Sequence, residues 1–270
     1  MTAITTVLSK NYISVACDSM ITRVENGVRS VIKVNQTKFV YYAKFKCIAV
    51  YWGLAEAIDP VEGRTWRTIE WLDDFKADQD KYNSLAEFVE GLSVELNNKI
   101  RSGVGQWVRR EDRGIGIHIA GFENFGDKGL MPELYLVSNY VNTQYEIGDS
   151  VSWSARTIAD SVNENGTEVD NATDQRQKLK KYFDDGGIFF FRNGDPALLS
   201  IFSDATVNAV SRNREVFFKD RSDGNYVREL SVFPIELTKK FQKQYYHRNE
   251  IKVGGKVYSA LINKDGYLIP

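Results

Sequence analysis

The sequence predicts an α+β fold, a four-layer αββα sandwich in which helices flank two antiparallel β-sheets. The predicted elements come in blocks, in the order strands, two helices, strands, then helix and strands. That order suits two sheets packed face to face with helices outside. The 270 residues are 43% hydrophobic and 26% charged, an ordinary globular composition with ample length for a sizeable core. Because the sequence has no internal repeat and no low-complexity tract, we expect one domain over residues 1–270.

The N-terminal part of the chain supplies most of the predicted strands. Five runs rich in apolar, aromatic and β-branched residues predict them: residues 4–8, 12–16, 31–34, 38–43 and 46–52. After Gly53 the pattern becomes helical, with Ile69, Leu72 and Phe75 at helical spacing. We therefore predict a strand-to-helix junction at Gly53 and a first helix interrupted by Pro60 and Gly63.

The second helix carries its own start signal. Ser84-Leu85-Ala86-Glu87 forms a capping box, and an apolar stripe runs behind it to Ile100 before Gly103 ends the helix. Residues 114–122 and 132–138 then predict a pair of strands joined by a glycine-containing turn.

The second half is less regular. The pattern blurs over residues 139–185, which we interpret as an insertion containing a loop and a short charged helix at 175–183. A strand at 186–192 precedes a helix opened by Asp195-Pro196. Strands are predicted at 216–219 and 226–233, a helix from Pro234, and a final hairpin of 250–253 and 256–262 around Gly254-Gly255.

Composition excludes several classes of function. Lys and Arg number 35 against 36 Asp and Glu, so bulk charge argues against nucleic acid or an anionic membrane as partner. No apolar stretch reaches membrane-spanning length, and no signal peptide is evident. Cys17 and Cys47 lie in apolar runs, and we interpret both as reduced, buried residues. Reduced cysteines predict a cytoplasmic protein. His118 and His247 are the only histidines and lie far apart, so we expect no metal and no cofactor.

The N-terminus offers a specific chemistry. Thr2 follows Met1 directly, and removal of Met1 would give Thr2 both a hydroxyl and a free α-amine. An amine on the same residue can serve as the base that the hydroxyl needs before it attacks a carbonyl. Asp18 and Lys33 would supply a carboxylate and a cation to hold that site.

These residues resemble the threonine N-terminal nucleophile (Ntn) hydrolases, namely the proteasome β-subunit and the HslV-like peptidases. The resemblance rests on Thr2, on Val-Ala-Cys-Asp-Ser at 15–19, on Lys33-Val34, and on Trp-Gly-Leu-Ala-Glu-Ala at 52–57. The family places its aspartate sixteen residues after its threonine, as here. Its lysine spacing is one residue longer than that of Lys33.

The resemblance implies a threonine peptidase or amidohydrolase. Thr2 would be the nucleophile, Lys33 the cation and Asp18 its partner. Backbone N–H groups near Trp52 and Gly53 would stabilise the oxyanion, and Ser19 would support the lysine. The expected partners are a peptide or protein substrate and further copies in a ring or smaller homo-oligomer. By resemblance only, an ATP-dependent unfoldase is a further expected partner.

Simpler interpretations stay open for each residue. Thr2 can be an ordinary second residue, Asp18 can cap a turn, and Gly53 can simply end a strand. Lys33 can be an exposed lysine on an edge strand, and Lys38 competes for its place, although Lys33-Val34 matches the family better. The family's later Ser-Gly-rich segment has no clear counterpart. Two other functions therefore remain: a catalytically silent proteasome-like subunit for assembly or binding, and a non-peptidase Ntn amidase.

Overall fold

A computed structural model describes residues 3–25, 28–126, 129–142, 145–156, 172–194, 198–212, 224–247, 251–266 and 268–269. The strands within these ranges are β1 Ile4–Leu8, β2 Tyr12–Asp18, β3 Ile21–Glu25, β4 Val28–Lys33, β5 Phe39–Tyr42, β6 Cys47–Gly53, β7 Glu56–Ile58, β8 Thr65–Arg67, β9 Ile115–Asn124, β10 Leu130–Tyr140, β11 Ile147–Ala155, β12 Phe189–Asn193, β13 Val257–Asn263 and β14 Leu268–Ile269. The α-helices are α1 Thr68–Asp74, α2 Leu85–Ser102, α3 Ala172–Asp184, α4 Leu198–Arg212 and α5 Gly224–Tyr245.

Two five-stranded sheets form the centre of the molecule. The first has the order β12-β1-β2-β13-β14 and the second the order β11-β10-β9-β6-β5. Every neighbouring pair in both sheets is antiparallel. Helices α1 and α2 pack on the second sheet, while α5 packs on β1, β2 and β13 and contacts α4. The αββα sandwich predicted from the sequence is confirmed.

Alternation along β1 shows how the sequence builds these layers. Ile4 and Leu8 lie in the apolar core between the two sheets. Val7 faces the opposite way and packs under α5 with Val227 and Leu230. Successive side chains of a strand point to opposite faces, so both faces of this buried strand are apolar.

Helix α2 begins as its capping box predicts. The Ser84 hydroxyl accepts the N–H of Glu87 at 3.1 Å, and the Glu87 carboxylate accepts the N–H of Asn83 at 2.8 Å. Gly103 follows the last helical residue and donates its N–H to the Lys99 carbonyl at 3.1 Å.

The helix predicted to begin after Gly53 is wrong over its first part. Residues 56–58 and 65–67 instead pair as the hairpin of β7 and β8. Asp59 and Arg64 close the turn through a 2.8 Å backbone hydrogen bond, and Gly63 adopts a φ of +68° within it. Pro60 and Gly63, which predicted interruptions of a helix, are instead residues of this turn. Helix α1 starts only at Thr68.

The strand predicted at 226–233 is also wrong, because these residues belong to α5. Pro234 lies inside this helix and does not open it. The buried residues of α5 recur at intervals of three and four, which is the helical period: Val227, Leu230, Ser231, Pro234, Ile235, Thr238 and Gln242. β-branched and aromatic residues in the first turns gave the segment a strand-like composition.

Two further predictions concern the end of the chain and the middle segment. Residues 251–253 form no strand, and β13 pairs with β2 and β14 instead of with them.

Within 139–185, β11 forms the edge of the second sheet, and α3 buries Leu179 and Phe183 between the sheets. That this segment is an insertion stays a prediction. The Asp195-Pro196 cap and the strand at 216–219 lie outside the described residues.

Candidate active site

Asp18 stands at the end of β2, opposite the first described residue of the chain. The β1–β2 register pairs Ile4 with Cys17 and thus sets Ala3 against Asp18. The Asp18 N–H donates to the Ala3 carbonyl at 3.1 Å, and the Ala3 N–H donates to Asp18 Oδ1 at 3.0 Å. Thr2 itself lies outside the described residues. The carboxylate is therefore bonded to the residue that follows Thr2 in the chain.

Lys38 is the cation that this carboxylate binds. Its Nζ lies 3.1 Å from Asp18 Oδ1 and donates to the Met20 carbonyl at 2.7 Å. Both side chains of the pair are completely buried. Asp18 Oδ2 accepts the N–H of Gly254 at 3.1 Å. Burying a charge is unfavourable unless it is paired and hydrogen-bonded, and here three separate chain segments satisfy one carboxylate.

The expected pairing of Asp18 with Lys33 is wrong. Lys33 ends β4 with 39% of its side chain exposed, and its Nζ lies 4.0 Å from Glu56 Oε2. The physical reason is that four residues separate the end of β4 from Lys38, which precedes β5 and enters the interior. Lys38 is the competing residue in the sequence, and the match of Lys33-Val34 to the family motif favoured the lysine that does not pair with Asp18.

Ser19 connects the carboxylate segment to two neighbouring backbones. Its hydroxyl donates to the Val34 carbonyl and accepts the N–H of Lys256 at 2.8 Å. Its own N–H donates to the Lys256 carbonyl at 2.9 Å. Ser19 thus fixes the strands around Asp18, and its support of the lysine stays a prediction.

Cys17 and Tyr51 are buried neighbours of the pair. Burial raises the pKa of the Cys17 thiol to about 12, and the Lys38 charge opposes that shift only in part. The pKa of Tyr51 is also raised, mainly by burial and further by Cys17, Asp18 and Glu56. The Cys17 thiol is therefore protonated near neutral pH, which makes it a poor nucleophile.

Gly53 ends β6 at the same end of the sandwich as Lys38, because the Tyr51 N–H donates to the Lys38 carbonyl at 3.2 Å. Gly53 has a φ of +87°, and a Cβ on it would lie 2.1 Å from the Gly114 carbonyl oxygen. Only glycine fits this backbone position. That the N–H groups of Trp52 and Gly53 stabilise an oxyanion stays a prediction.

His118 is buried, with both ring nitrogens engaged, as the sequence suggested for a core histidine. Nδ1 lies 2.9 Å from the Thr6 hydroxyl and Nε2 lies 2.7 Å from Asn193 Oδ1. Burial lowers its pKa to about 4, against a rise from the Asn193 hydrogen bond, and the charge of Arg156 lowers it further. No local sequence pattern indicated this network, because its members come from β1, β9 and β12.

No metal site appears among the described residues, since none of them forms a group of three or more His, Cys, Asp or Glu side chains able to hold an ion. Within the same residues, no helix is long and apolar enough to cross a membrane.

Comparison with known proteins finds likeness in structure only. BPH from Thiobacillus denitrificans aligns at 11% identity with a TM-score of 0.48, over 97% of each chain. Its complex with epoxomicin aligns at 11% identity and 0.47, over 97% of this chain and 98% of that one. Anbu, an ancestral beta-subunit from Yersinia bercovieri, aligns at 9% and 0.47, over 97% of this chain and 81% of its own. No family model and no curated protein matches the sequence.

Proposed function

We propose that this chain is a threonine-type N-terminal nucleophile hydrolase that cleaves peptide or other amide bonds in a proteasome-like manner. Thr2 is the nucleophile after cleavage of the bond between Met1 and Thr2. Lys38, in place of Lys33, is the cation of the site. One observation carries the proposal. A fully buried lysine–aspartate pair is hydrogen-bonded to the backbone of Ala3, the residue that follows Thr2.

The chemistry follows from these positions. Thr2 Oγ1 attacks the carbonyl carbon of the substrate, and its proton passes to the Thr2 amine, directly or through a water. The C–N bond breaks, and the leaving amine takes up a proton. Water then hydrolyses the ester on Thr2 and releases the carboxylic acid.

In this mechanism Lys38 supplies a positive charge and Asp18 holds it in position. A positive charge near Thr2 favours the deprotonated hydroxyl and the neutral amine, because both changes remove a proton close to a cation. Asp18 positions Lys38 and the start of β1 through a single oxygen, Oδ1. Backbone N–H groups near Gly53 would supply oxyanion stabilisation of about 3–4 kcal/mol per donor.

Covalent labelling tests the assignment of the nucleophile. The full chain is treated with a peptide that carries a threonine-directed electrophile, and its intact mass is measured. We expect one adduct on the protein that lacks Met1, no adduct on Thr2→Ala, slowed labelling of Lys38→Met, and unchanged labelling of Lys33→Met. Retention of Met1 together with absence of an adduct would point to the silent subunit. Turnover of small amides but not peptides would point to the amidase.

We also propose that copies of this chain associate in a ring or smaller symmetric homo-oligomer. The support is a set of large apolar side chains exposed on α4 and α5, namely Ile201, Phe233, Phe241 and Tyr245. Phe241 and Tyr245 are in contact, with ring centres 4.6 Å apart, and adjoining exposed apolar groups mark interaction surfaces. Native mass spectrometry of the full chain measures the assembly, and a monomer at micromolar concentration would contradict it. An ATP-dependent unfoldase partner stays a prediction from the resemblance.

A further inference from the structure

Tyr140 ends β10 and places its side-chain hydroxyl against the end of β6. A Cβ on Gly53 would lie 2.8 Å from this oxygen, and a Cβ on Gly114 would lie 2.4 Å from it. Gly114 precedes β9, the strand between β10 and β6, and its carbonyl accepts the N–H of Leu54 at 2.7 Å. The tyrosine therefore reaches across the start of β9 to the glycine at which the proposed mechanism places the oxyanion.

The Tyr140 hydroxyl is a donor without an acceptor. Within the described ranges, the only hydrogen bond of Tyr140 outside its strand pairing is that of its N–H with Ser138 Oγ at 2.9 Å, so its hydroxyl binds no group there. By contrast, the hydroxyls of Tyr41 and Tyr42 donate to backbone carbonyls. The Tyr51 hydroxyl also lacks a partner in this part of the chain, but its oxygen is enclosed, whereas that of Tyr140 is accessible. The Tyr140 proton can therefore bind an oxygen of a ligand.

Tyr140 lines a cavity of about 680 Å³ between the two sheets. Asn193 also lines it and lies opposite Ile4 in the β1–β12 register, so the cavity adjoins the start of β1. Its volume falls in the range of small-molecule sites, roughly 300–1,000 Å³. A group held in this cavity would lie close to the beginning of the strand that follows Thr2 in the chain.

Two aromatic neighbours hold the Tyr140 ring in place. Trp52 stacks on it with ring centres 6.1 Å apart, and Tyr145 meets it edge-on at 5.2 Å. Burial raises the pKa of Tyr140, and Tyr145 raises it further, so the hydroxyl keeps its proton near neutral pH. A donor that is fixed before the reaction stabilises developing charge without having to reorient.

We propose that Tyr140 is a further catalytic residue, whose hydroxyl donates a hydrogen bond to the carbonyl oxygen of the scissile amide. This role rests on the proposed function. When Thr2 Oγ1 bonds to the carbonyl carbon, the π electrons of the C=O bond move to the oxygen. Tyr140 stabilises this oxyanion near Gly53 and keeps its own proton. When the C–N bond breaks, the electrons return and the C=O bond forms again.

Tyr140→Phe tests this role, because it removes the hydroxyl and keeps the ring. Hydrolysis is measured with a set of peptidyl aminomethylcoumarin amides that differ in the residue before the amide. Labelling of Thr2 is measured with the vinyl sulfone of the best peptide, which bonds to a nucleophile without forming an oxyanion at a carbonyl. We expect kcat to fall about 100-fold with KM unchanged, while labelling proceeds at the wild-type rate.

Tyr145→Phe is the matched control, because it removes a hydroxyl from the same cavity that already accepts the N–H of Gly194 at 3.1 Å. We expect this variant to hydrolyse near the wild-type rate. Equal slowing by the two variants would overturn the role of Tyr140, and so would wild-type hydrolysis by Tyr140→Phe. Loss of labelling together with hydrolysis in Tyr140→Phe would also overturn it, because it would indicate a structural role.

Gly114→Ala provides a second test, since its Cβ would lie 2.4 Å from the Tyr140 hydroxyl and must displace it. We expect slowed hydrolysis with unchanged labelling, and a retained wild-type kcat would contradict the proposal. Because no described residue bonds to the Tyr140 hydroxyl, the urea midpoint of Tyr140→Phe should match that of the wild type.

The wild-type results separate this inference from the proposed function. If the wild type hydrolyses and is labelled while Tyr140→Phe is unchanged, only the role of Tyr140 is removed. If the wild type neither hydrolyses nor is labelled, the proposed function fails and this role fails with it. Labelling without hydrolysis of any amide would leave Thr2 as the nucleophile and remove the oxyanion role.

Discussion

Replacing Lys38 by Met tests the centre of the proposed site. Methionine keeps a flexible apolar chain of similar length and removes the ammonium. Asp18 then remains completely buried, with only the N–H groups of Ala3 and Gly254 as its described hydrogen-bond donors. Its carboxylate would then have lost the cation that compensates its charge.

The expected cost is large compared with the total stability of a protein. Removing one partner of a buried ion pair typically costs about 3–5 kcal/mol, because the remaining charge is left uncompensated. Because two backbone donors stay on Asp18, we expect Lys38→Met to lower the free energy of unfolding by about 3 kcal/mol, the lower end of that range. The matched variant, Lys33→Met, removes a lysine 39% exposed and 4.0 Å from Glu56. Exposed pairs contribute about 0–1 kcal/mol.

Urea unfolding followed by circular dichroism measures both variants, with the slope m compared to that of the wild type. The double variant Asp18→Asn/Lys38→Met should cost less than the sum of its two single variants, because it removes both charges together. Equal destabilisation by Lys33→Met and Lys38→Met would refute the reasoning. So would a Lys38→Met protein within about 1 kcal/mol of the wild type, since that is the range of an exposed pair.

Three further predictions concern backbone, titration and reactivity. Gly53→Ala should lower the free energy of unfolding by more than about 2 kcal/mol, because it adds a clash with a backbone carbonyl to the strain of positive φ. Gly63→Ala is also at positive φ but in open space, so it should cost about 1 kcal/mol. Equal costs of the two variants in chemical unfolding would contradict this. His118 has its pKa lowered from 6.5 to about 4, so the unfolded chain binds the extra proton first, and the free energy of unfolding should fall by about 3 kcal/mol as the pH drops from 6.5 to 4. His118→Gln should remove that dependence and His247→Gln should keep it. Cys17, buried with a raised pKa, should resist iodoacetamide in the folded protein at pH 8 and react in urea, as mass spectrometry can show.

Local sequence signals predicted the layers of the fold well where they were unambiguous. The capping box at Ser84 set the start of α2, and the alternating runs set β1, β2, β9 and β10, because period and propensity act within a few residues. The same signals misled at Pro60 and in the first turns of α5. There, hairpin pairing and packing against the first sheet decided the outcome, and both depend on residues distant in the chain.

The candidate site shows a similar division. Asp18 ends a strand and could be placed from the sequence, whereas its partners Lys38 and Gly254 are 20 and 236 residues away. The His118 network likewise spans three strands, with Thr6 112 residues from His118 and Asn193 another 75 residues on. Contacts at such separations depend on the order of strands in the sheets, which local sequence patterns do not predict.

The burial of the residues around Lys38 nevertheless indicates which lysine pairs with Asp18. In the run that begins at Lys38, positions 38, 40 and 42 are buried while 39 and 41 are half-buried. Lys38 itself is completely buried and lies one residue before the start of β5. A buried lysine requires a carboxylate, and Asp18 ends a strand in which residues 13–17 are themselves buried. The need of a buried lysine for a partner identifies Lys38 as the residue that pairs with Asp18, whereas the match of Lys33-Val34 to the family motif favours Lys33.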